Sequence, residues 1–275
     1  MNRTVLDQPE QHAPSRDVRD VVRSQDGIEL HYDLVGFGSP ALVFVHGWSC
    51  DRTYWAAQIR AFAPRHRVVA IDLAGHGASG DGRESWTMAS FGGDVAAVVE
   101  HLGLDDVALI GHSMGGDIIV EAALELAGRV RGVVWVDTYS SLDQPRSDAD
   151  VAAFVAPFDA DFAGSTQALV RRMFPPGADP GLVDRVATGM SSAPAAIALD
   201  ALRNAISNGG TILDRLSGLS APIVAINPDY RPTDEASLRR HGVRPILMSG
   251  VGHFLMMEDP GRFNRVLADV IRGLG

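Results

Sequence analysis

Six short stretches of this sequence, residues 41–45, 67–73, 107–110, 133–136, 222–226 and 244–248, are apolar at nearly every position and are too short to be helices. A strand reads this way when both of its faces are covered, as in a parallel sheet flanked by helices. Helix-length segments separate the runs, at residues 54–62, 88–102, 114–126, 233–241 and 260–274. Strand alternating with helix predicts an α/β fold: a mostly parallel sheet with helices on both faces. Residues 28–35 instead alternate apolar and polar, the pattern of a half-exposed antiparallel strand near the sheet edge.

The alternation breaks after the run at 133–136. From about residue 140 to 217 no buried run appears, and Pro157, Pro175, Pro176 and Pro194 interrupt an Ala- and Asp-rich, helical text. An insertion of that length is a small helical subdomain rather than a bare loop. Set at the C-terminal edge of a parallel sheet, it would cover the crevice where ligands bind. The expected organisation is therefore a loose leader at 1–20, a core built from 21–139 and 218–275, and a helical cap at 140–217.

Composition excludes several chemistries. The single cysteine, Cys50, can form no internal disulfide and no thiolate cluster for zinc or iron–sulfur. All 24 basic side chains are arginine, so a lysine Schiff base, a pyridoxal phosphate enzyme, a P-loop lysine and a Ser-x-x-Lys nucleophile are impossible. A net charge of −10 with no basic run argues against nucleic acid as a partner. No run of apolar residues is long enough to span a membrane. Residues 1–20 lack the apolar centre of a secretory signal, which predicts a cytoplasmic protein.

Gly111–His112–Ser113–Met114–Gly115, followed by Gly116, fits G-x-S-x-G, with a buried run just before it and a helical pattern just after. A strand that turns straight into a helix forces the serine into a strained conformation, and only small flanking residues let the two elements approach. The hydroxyl is then lifted above the sheet at the positive end of the helix. A hydroxyl needs a base to act as a nucleophile at neutral pH. Of nine histidines, His253 is the expected base, because it follows the last buried run inside Ser249–Gly250–Val251–Gly252–His253–Phe254. His46 and His76 read as loop-shaping residues, and His12, His31, His66, His101 and His241 as exposed ones.

With these residues in place, the chain resembles the serine-nucleophile α/β-hydrolase superfamily, which includes esterases and cofactor-free haloperoxidases. The resemblance rests on His46–Gly47–Trp48, Asp72–Leu73–Ala74–Gly75–His76–Gly77–Ala78–Ser79, the Gly111–Gly115 elbow and Gly252–His253. It implies the α/β-hydrolase fold with a helical lid after the sixth strand of that fold, here the run at 133–136. It also implies an oxyanion hole formed by the backbone N–H groups of Trp48 and Met114, and it implies no metal or organic cofactor.

The third member of the catalytic set is less direct. In most of the superfamily an acid follows the strand corresponding to 222–227, yet aligning the prolines at 222 and 232 puts Arg231 at that position. Arginine cannot accept a hydrogen bond. Asp137, which closes the run after the nucleophile helix, is better placed, as in certain dehalogenases and lactone hydrolases; Asp229 and Asp234 are the alternatives. Gly75–His76–Gly77–Ala78–Ser79–Gly80 also fits a dinucleotide fingerprint, but no apolar helical period begins inside it. The expected reaction is hydrolysis of a carboxylic ester of a small to medium, apolar small molecule through an acyl-enzyme. Alternatives are lactone or carbon–carbon hydrolysis, perhydrolysis, or slow-turnover ligand sensing. Trp48, Phe154, Phe158 and Phe254 are the expected pocket residues, with Phe162, Met173, Phe174 and Met190 as further lid candidates.

Overall fold

The computed structural model describes residues 18–144, 146–208 and 210–274. Eight strands among them form one sheet: β1 (Val18–Arg23), β2 (Glu29–Val35), β3 (Ala41–Val45), β4 (Val68–Ile71), β5 (Val107–His112), β6 (Val130–Val136), β7 (Ile223–Pro228) and β8 (Val243–Met248), in the order β1-β2-β4-β3-β5-β6-β7-β8. Pairing is antiparallel from β1 to β2 and from β2 to β4, and parallel from there to β8. β3, β4, β5 and β7 are buried along their whole length, as their unbroken apolar text requires.

β1 departs from expectation. Its residues 18–20 were assigned to the leader, but Val18 pairs with Leu34 and Asp20 with Tyr32. The strand carries charge because it lies at the sheet edge, so no apolar run marks it. The rest of the expected leader, residues 1–17, lies outside the described residues.

The helices follow the strands. A short 3-10 turn at Arg52–Trp55 leads into α1 (Ala56–Phe62), then come α2 (Met88–His101) and α3 (Met114–Glu125). Between β6 and β7 lie α4 (Asp148–Ala160), α5 (Phe162–Arg172), α6 (Pro180–Ser191), α7 (Ala195–Asn208) and α8 (Ile212–Ser217). The remainder are α9 (Glu235–Arg240), α10 (Leu255–Glu258) and α11 (Pro260–Arg272). Among the described residues the long insertion thus holds five helices and no strand, and it is tied to the core by hydrogen bonds that include Trp48 Nε1 to Ala198 O at 2.7 Å and Trp86 N to the Asp200 carboxylate at 2.8 Å. No helix among the described residues is long and apolar enough to cross a membrane.

The strand order places the site. After β3 the chain moves to one side to form β4, then returns past β3 to form β5 and continues to the other side. The connections therefore diverge between β3 and β5, which opens a crevice beyond their carboxyl ends.

Candidate active site

Two loops leave the sheet at that crevice. β5 turns directly into α3 through Ser113, whose φ of 53° and ψ of −120° lie outside the conformations that L residues favour. A Cβ on Gly111 would stand 2.2 Å from Gly115 O, and one on Gly115 would stand 2.6 Å from Val45 O. The motif's glycines are thus required for the crossing of strand and helix. Ser113 N donates to Val136 O at 2.9 Å, which fixes the turn to the neighbouring strand.

The other loop is His46–Gly47–Trp48–Ser49 after β3. Burial holds the His46 ring below its ordinary pKa. The neutral ring uses Nδ1–H to donate to Gly47 O at 2.8 Å, and Nε2 accepts from Leu73 N at 3.1 Å. The tautomer follows from these two partners. The backbone N–H groups of Trp48 and Met114 have no acceptor among the described residues, so both remain able to donate. Trp48 projects its side chain to the insertion, through the bond to Ala198.

Asp137 ends β6 with a φ of 47° and is 1% exposed. Its Oδ2 accepts from His253 Nδ1–H at 2.6 Å, and its Oδ1 accepts from Arg231 Nη2 at 3.0 Å. Burial alone would raise this carboxyl, but the His253 ring and then the Arg231 guanidinium hold it below the usual carboxylate range. With Nδ1–H directed at the carboxylate, His253 presents Nε2 as a base. Of the three candidate acids, Asp137 is the one brought against His253. Asp229 accepts instead from Gly250 N at 2.7 Å, and Asp234 caps α9 by accepting from Ser237 N at 2.9 Å.

The histidine loop is held on several sides. His253 N donates to Met173 O of the insertion at 2.9 Å. Its carbonyl accepts from His112 Nε2–H at 2.9 Å, and burial pushes that ring down to about 3, so it is neutral. Glu258 accepts from Gly252 N at 2.9 Å and Phe254 N at 3.1 Å, gripping the loop before and after His253. Sequence reasoning missed Glu258 and the pairing role of Arg231; the only signal was an arginine where relatives carry an acid.

Ser113, Met114, Trp48, Asp137 and His253 all line one cavity of about 780 Å³. Of the expected pocket aromatics, Trp48 and Phe154 line it. Phe158 does not: it stands edge-on to Trp48 at 5.7 Å. Nor does Phe254, which is fully buried behind His253 and stacks on Phe174 at 5.2 Å. The walls differ in character. Leu169, Met173, Leu202 and Ile206 of the insertion contribute apolar lining, while the segment after β6 and Arg146, Arg172 and Arg231 contribute polar lining. Arg171, next to Arg172, pairs with Asp184 at 2.8 Å. The glycine-rich turn at 75–80 closes on itself through Gly75 N to Gly80 O at 2.8 Å, and Asp72 ties it to Arg52 N at 2.7 Å and Ala78 N at 2.8 Å. It opens no helix, which removes the dinucleotide reading.

A mostly parallel sheet of this order, with a strand–serine–helix elbow at its crevice, is an α/β-hydrolase fold. The family whose description is alpha/beta hydrolase fold matches residues 40–188, more than half of the chain, and the chain belongs to it. A non-heme haloperoxidase of Rhodococcus erythropolis is 39% identical over 117 residues, 42% of this chain and 42% of that protein. The 3-oxoadipate enol-lactonase 2 of Acinetobacter baylyi is 25% identical over 266 residues, 92% of this chain and 97% of that one. Among solved structures, a thermophilic esterase from Thermogutta terrifontis superposes with a TM-score of 0.80 at 23% identity, over 94% of this chain and 99% of that chain, a likeness of fold.

Proposed function

We propose that the protein is a serine hydrolase that cleaves a carboxylic ester of a small molecule through an acyl-enzyme. Ser113 Oγ attacks the ester carbonyl while His253 Nε2 takes its proton, and the oxyanion is received by the N–H groups of Trp48 and Met114. Collapse expels the alcohol, which regains the proton from His253. Water activated by the same ring then releases the acid and restores Ser113. Asp137 keeps the ring in the required tautomer and stabilises its charged form. Donors placed for the oxyanion are typically worth about 2.7–4 kcal/mol of barrier each.

The observation that carries this reading is the 2.6 Å bond from His253 to a buried carboxylate, in a cavity that also holds a strained serine. The α4–α8 insertion acts as a lid in this scheme, because it supplies apolar lining. A lactone is a cyclic ester that the same groups would open, and the full-length similarity to an enol-lactonase favours including one as substrate. The test is a p-nitrophenyl ester chain-length series plus a lactone, with wild type and Ser113→Ala. Release that depends on Ser113 is expected; no Ser113-dependent release from any of them overturns the reading.

A further inference from the structure

One part of the cavity wall carries polar groups that the proposed reaction leaves unused. Asp117 lies one helical turn beyond Ser113 on α3, so the two share a face, and both line the cavity. The residue is 5% exposed, and its Oδ1 accepts from the Tyr139 hydroxyl at 2.6 Å. Thr138 lines the cavity beside Tyr139, and its Oγ1 is buried without a hydrogen-bond partner. Asn208, at the end of α7, directs its side-chain amide at the Asp117 carboxyl as a donor. Buried polar atoms in folded proteins are nearly always satisfied by protein, water or ligand. An unsatisfied hydroxyl, that of Thr138, in a cavity wall that also holds the buried Asp117 carboxyl marks a place where another polar atom belongs.

Burial leaves the Asp117 carboxyl uncharged below about pH 7. None of its hydrogen-bond partners is a cation: Tyr139 comes from the segment after β6 and Asn208 from α7. On its own helix it faces Glu121, itself paired with Arg215 of α8 at 3.0 Å. Elsewhere in the cavity the Arg231 guanidinium is engaged by Asp137, while Arg146, Arg172 and Asp150 sit exposed on its lining. Burial, assisted by Glu121, pushes the Asp117 carboxyl up to about 7 against the pull of Tyr139 and Asn208. A protonated carboxyl is a hydrogen-bond donor, and Thr138 supplies a second.

We propose that Asp117 and Thr138, with Tyr139 orienting the carboxyl, form a second subsite that holds a neutral acceptor oxygen of the substrate outside the scissile ester. This deepens the hydrolase reading and rests on it: the substrate class becomes an ester with an additional carbonyl, ether or hydroxyl oxygen, rather than a plain hydrocarbon ester.

The test measures binding to Ser113→Ala protein, so that it does not depend on turnover. Titration calorimetry compares methyl levulinate with methyl valerate, which differ by a ketone on the acyl side. It also compares acetonyl acetate with isobutyl acetate, which differ on the alcohol side. At acidic pH the keto member of at least one pair is expected to bind roughly three- to tenfold tighter. That preference shrinks as pH rises through about 7, because the ionised carboxylate repels an acceptor. Adding Asp117→Asn keeps the preference but removes its pH dependence, and adding Thr138→Val weakens it. Adding Asp117→Leu abolishes it. Equal binding within both pairs, as expected if water alone fills the notch, overturns the proposal. So does a preference that survives Asp117→Leu, or, if that variant does not fold, one that is indifferent to both Thr138→Val and pH. Failure of the hydrolase reading shows separately, as ester release that persists in Ser113→Ala.

Discussion

At the scale of single residues, the site turns on one carboxylate with two partners. Asp137 gives one oxygen to His253 and the other to Arg231, whose side chain is 40% exposed while the carboxylate is 1% exposed. Asp137→Asn is therefore expected to lower kcat by roughly three to four orders of magnitude, since the amide favours the wrong histidine tautomer. Asp229→Asn, which touches only the Gly250 backbone, should stay near wild type; the reverse pattern in steady-state rates would assign the acid to Asp229. Arg231→Gln removes a charge that helps hold the Asp137 carboxyl low. The sign is fixed: with that carboxyl raised, it protonates at a higher pH, so the acid limb of kcat/KM moves upward while the alkaline side changes little. Ser113 and His253 were legible because glycines and a flanking strand mark each locally. The Asp137–Arg231 pair was not, since its members lie 94 residues apart and meet only when β6 and β7 are neighbours.

Asp117 makes a separate prediction about stability. Its carboxyl titrates near the usual 3.8 in the unfolded chain and near 7 when folded. Burial therefore costs nothing at low pH, and the cost grows as pH rises from about 4 to about 7 and then levels off. Asp117→Asn escapes that cost. Its unfolding free energy from urea denaturation should gain on that of wild type by an amount that increases over this window, to about a few kcal/mol at most. A difference that does not change with pH would show that the carboxyl is not buried in the neutral form.

At the scale of elements, the elbow links the sheet's packing to the serine. Gly115 sits where α3 crosses the end of β3, and a methyl group there would press on Val45 O at 2.6 Å and His46 O at 2.7 Å, both backbone atoms. Neither can yield without moving β3 or the loop that carries Trp48. Gly115→Ala should thus separate the serine from the expected oxyanion donors, with at least a tenfold loss of kcat and a stability loss of about 1–3 kcal/mol. Unchanged kcat with lowered thermal stability would mean that α3 shifts and the site does not. The buried parallel strands and their helices were readable because full burial leaves an unbroken apolar text. β1 was unreadable for the opposite reason: an edge strand needs only backbone partners, and its sequence Val-Arg-Asp-Val-Val-Arg looks like polar leader. The insertion read as helical but not as arranged, because α4 to α7 bury their faces against one another and the core in ways that periodicity does not specify.

At the scale of the molecule, the chain's divergence between β3 and β5 gathers residues from positions 48 to 253 at one edge of the sheet, and residues of the insertion line the same cavity. Three of the bonds that hold the insertion to the core involve residues at or beside the site. Met173 O receives the His253 N–H at 2.9 Å, Asp200 receives Trp86 N at 2.8 Å, and Ala198 O receives Trp48 Nε1 at 2.7 Å. The last of these joins the side chain of Trp48, an expected oxyanion donor, to α7, the helix that supplies Leu202 and Ile206 to the cavity lining. Trp48→Phe removes this bond and keeps an aromatic ring and the backbone donor. A hydrogen bond of this kind is worth about 1 kcal/mol, enough to loosen α7 without unfolding the sheet. Amide exchange in α7 should therefore quicken severalfold while β3, β5 and β6 remain protected. KM for longer-chain esters should rise, and kcat should stay within about twofold, because no reacting group has moved. If exchange in α7 is unchanged while kcat falls, Trp48 instead acts at the reacting carbonyl, and the insertion is held by its own packing rather than by this bond.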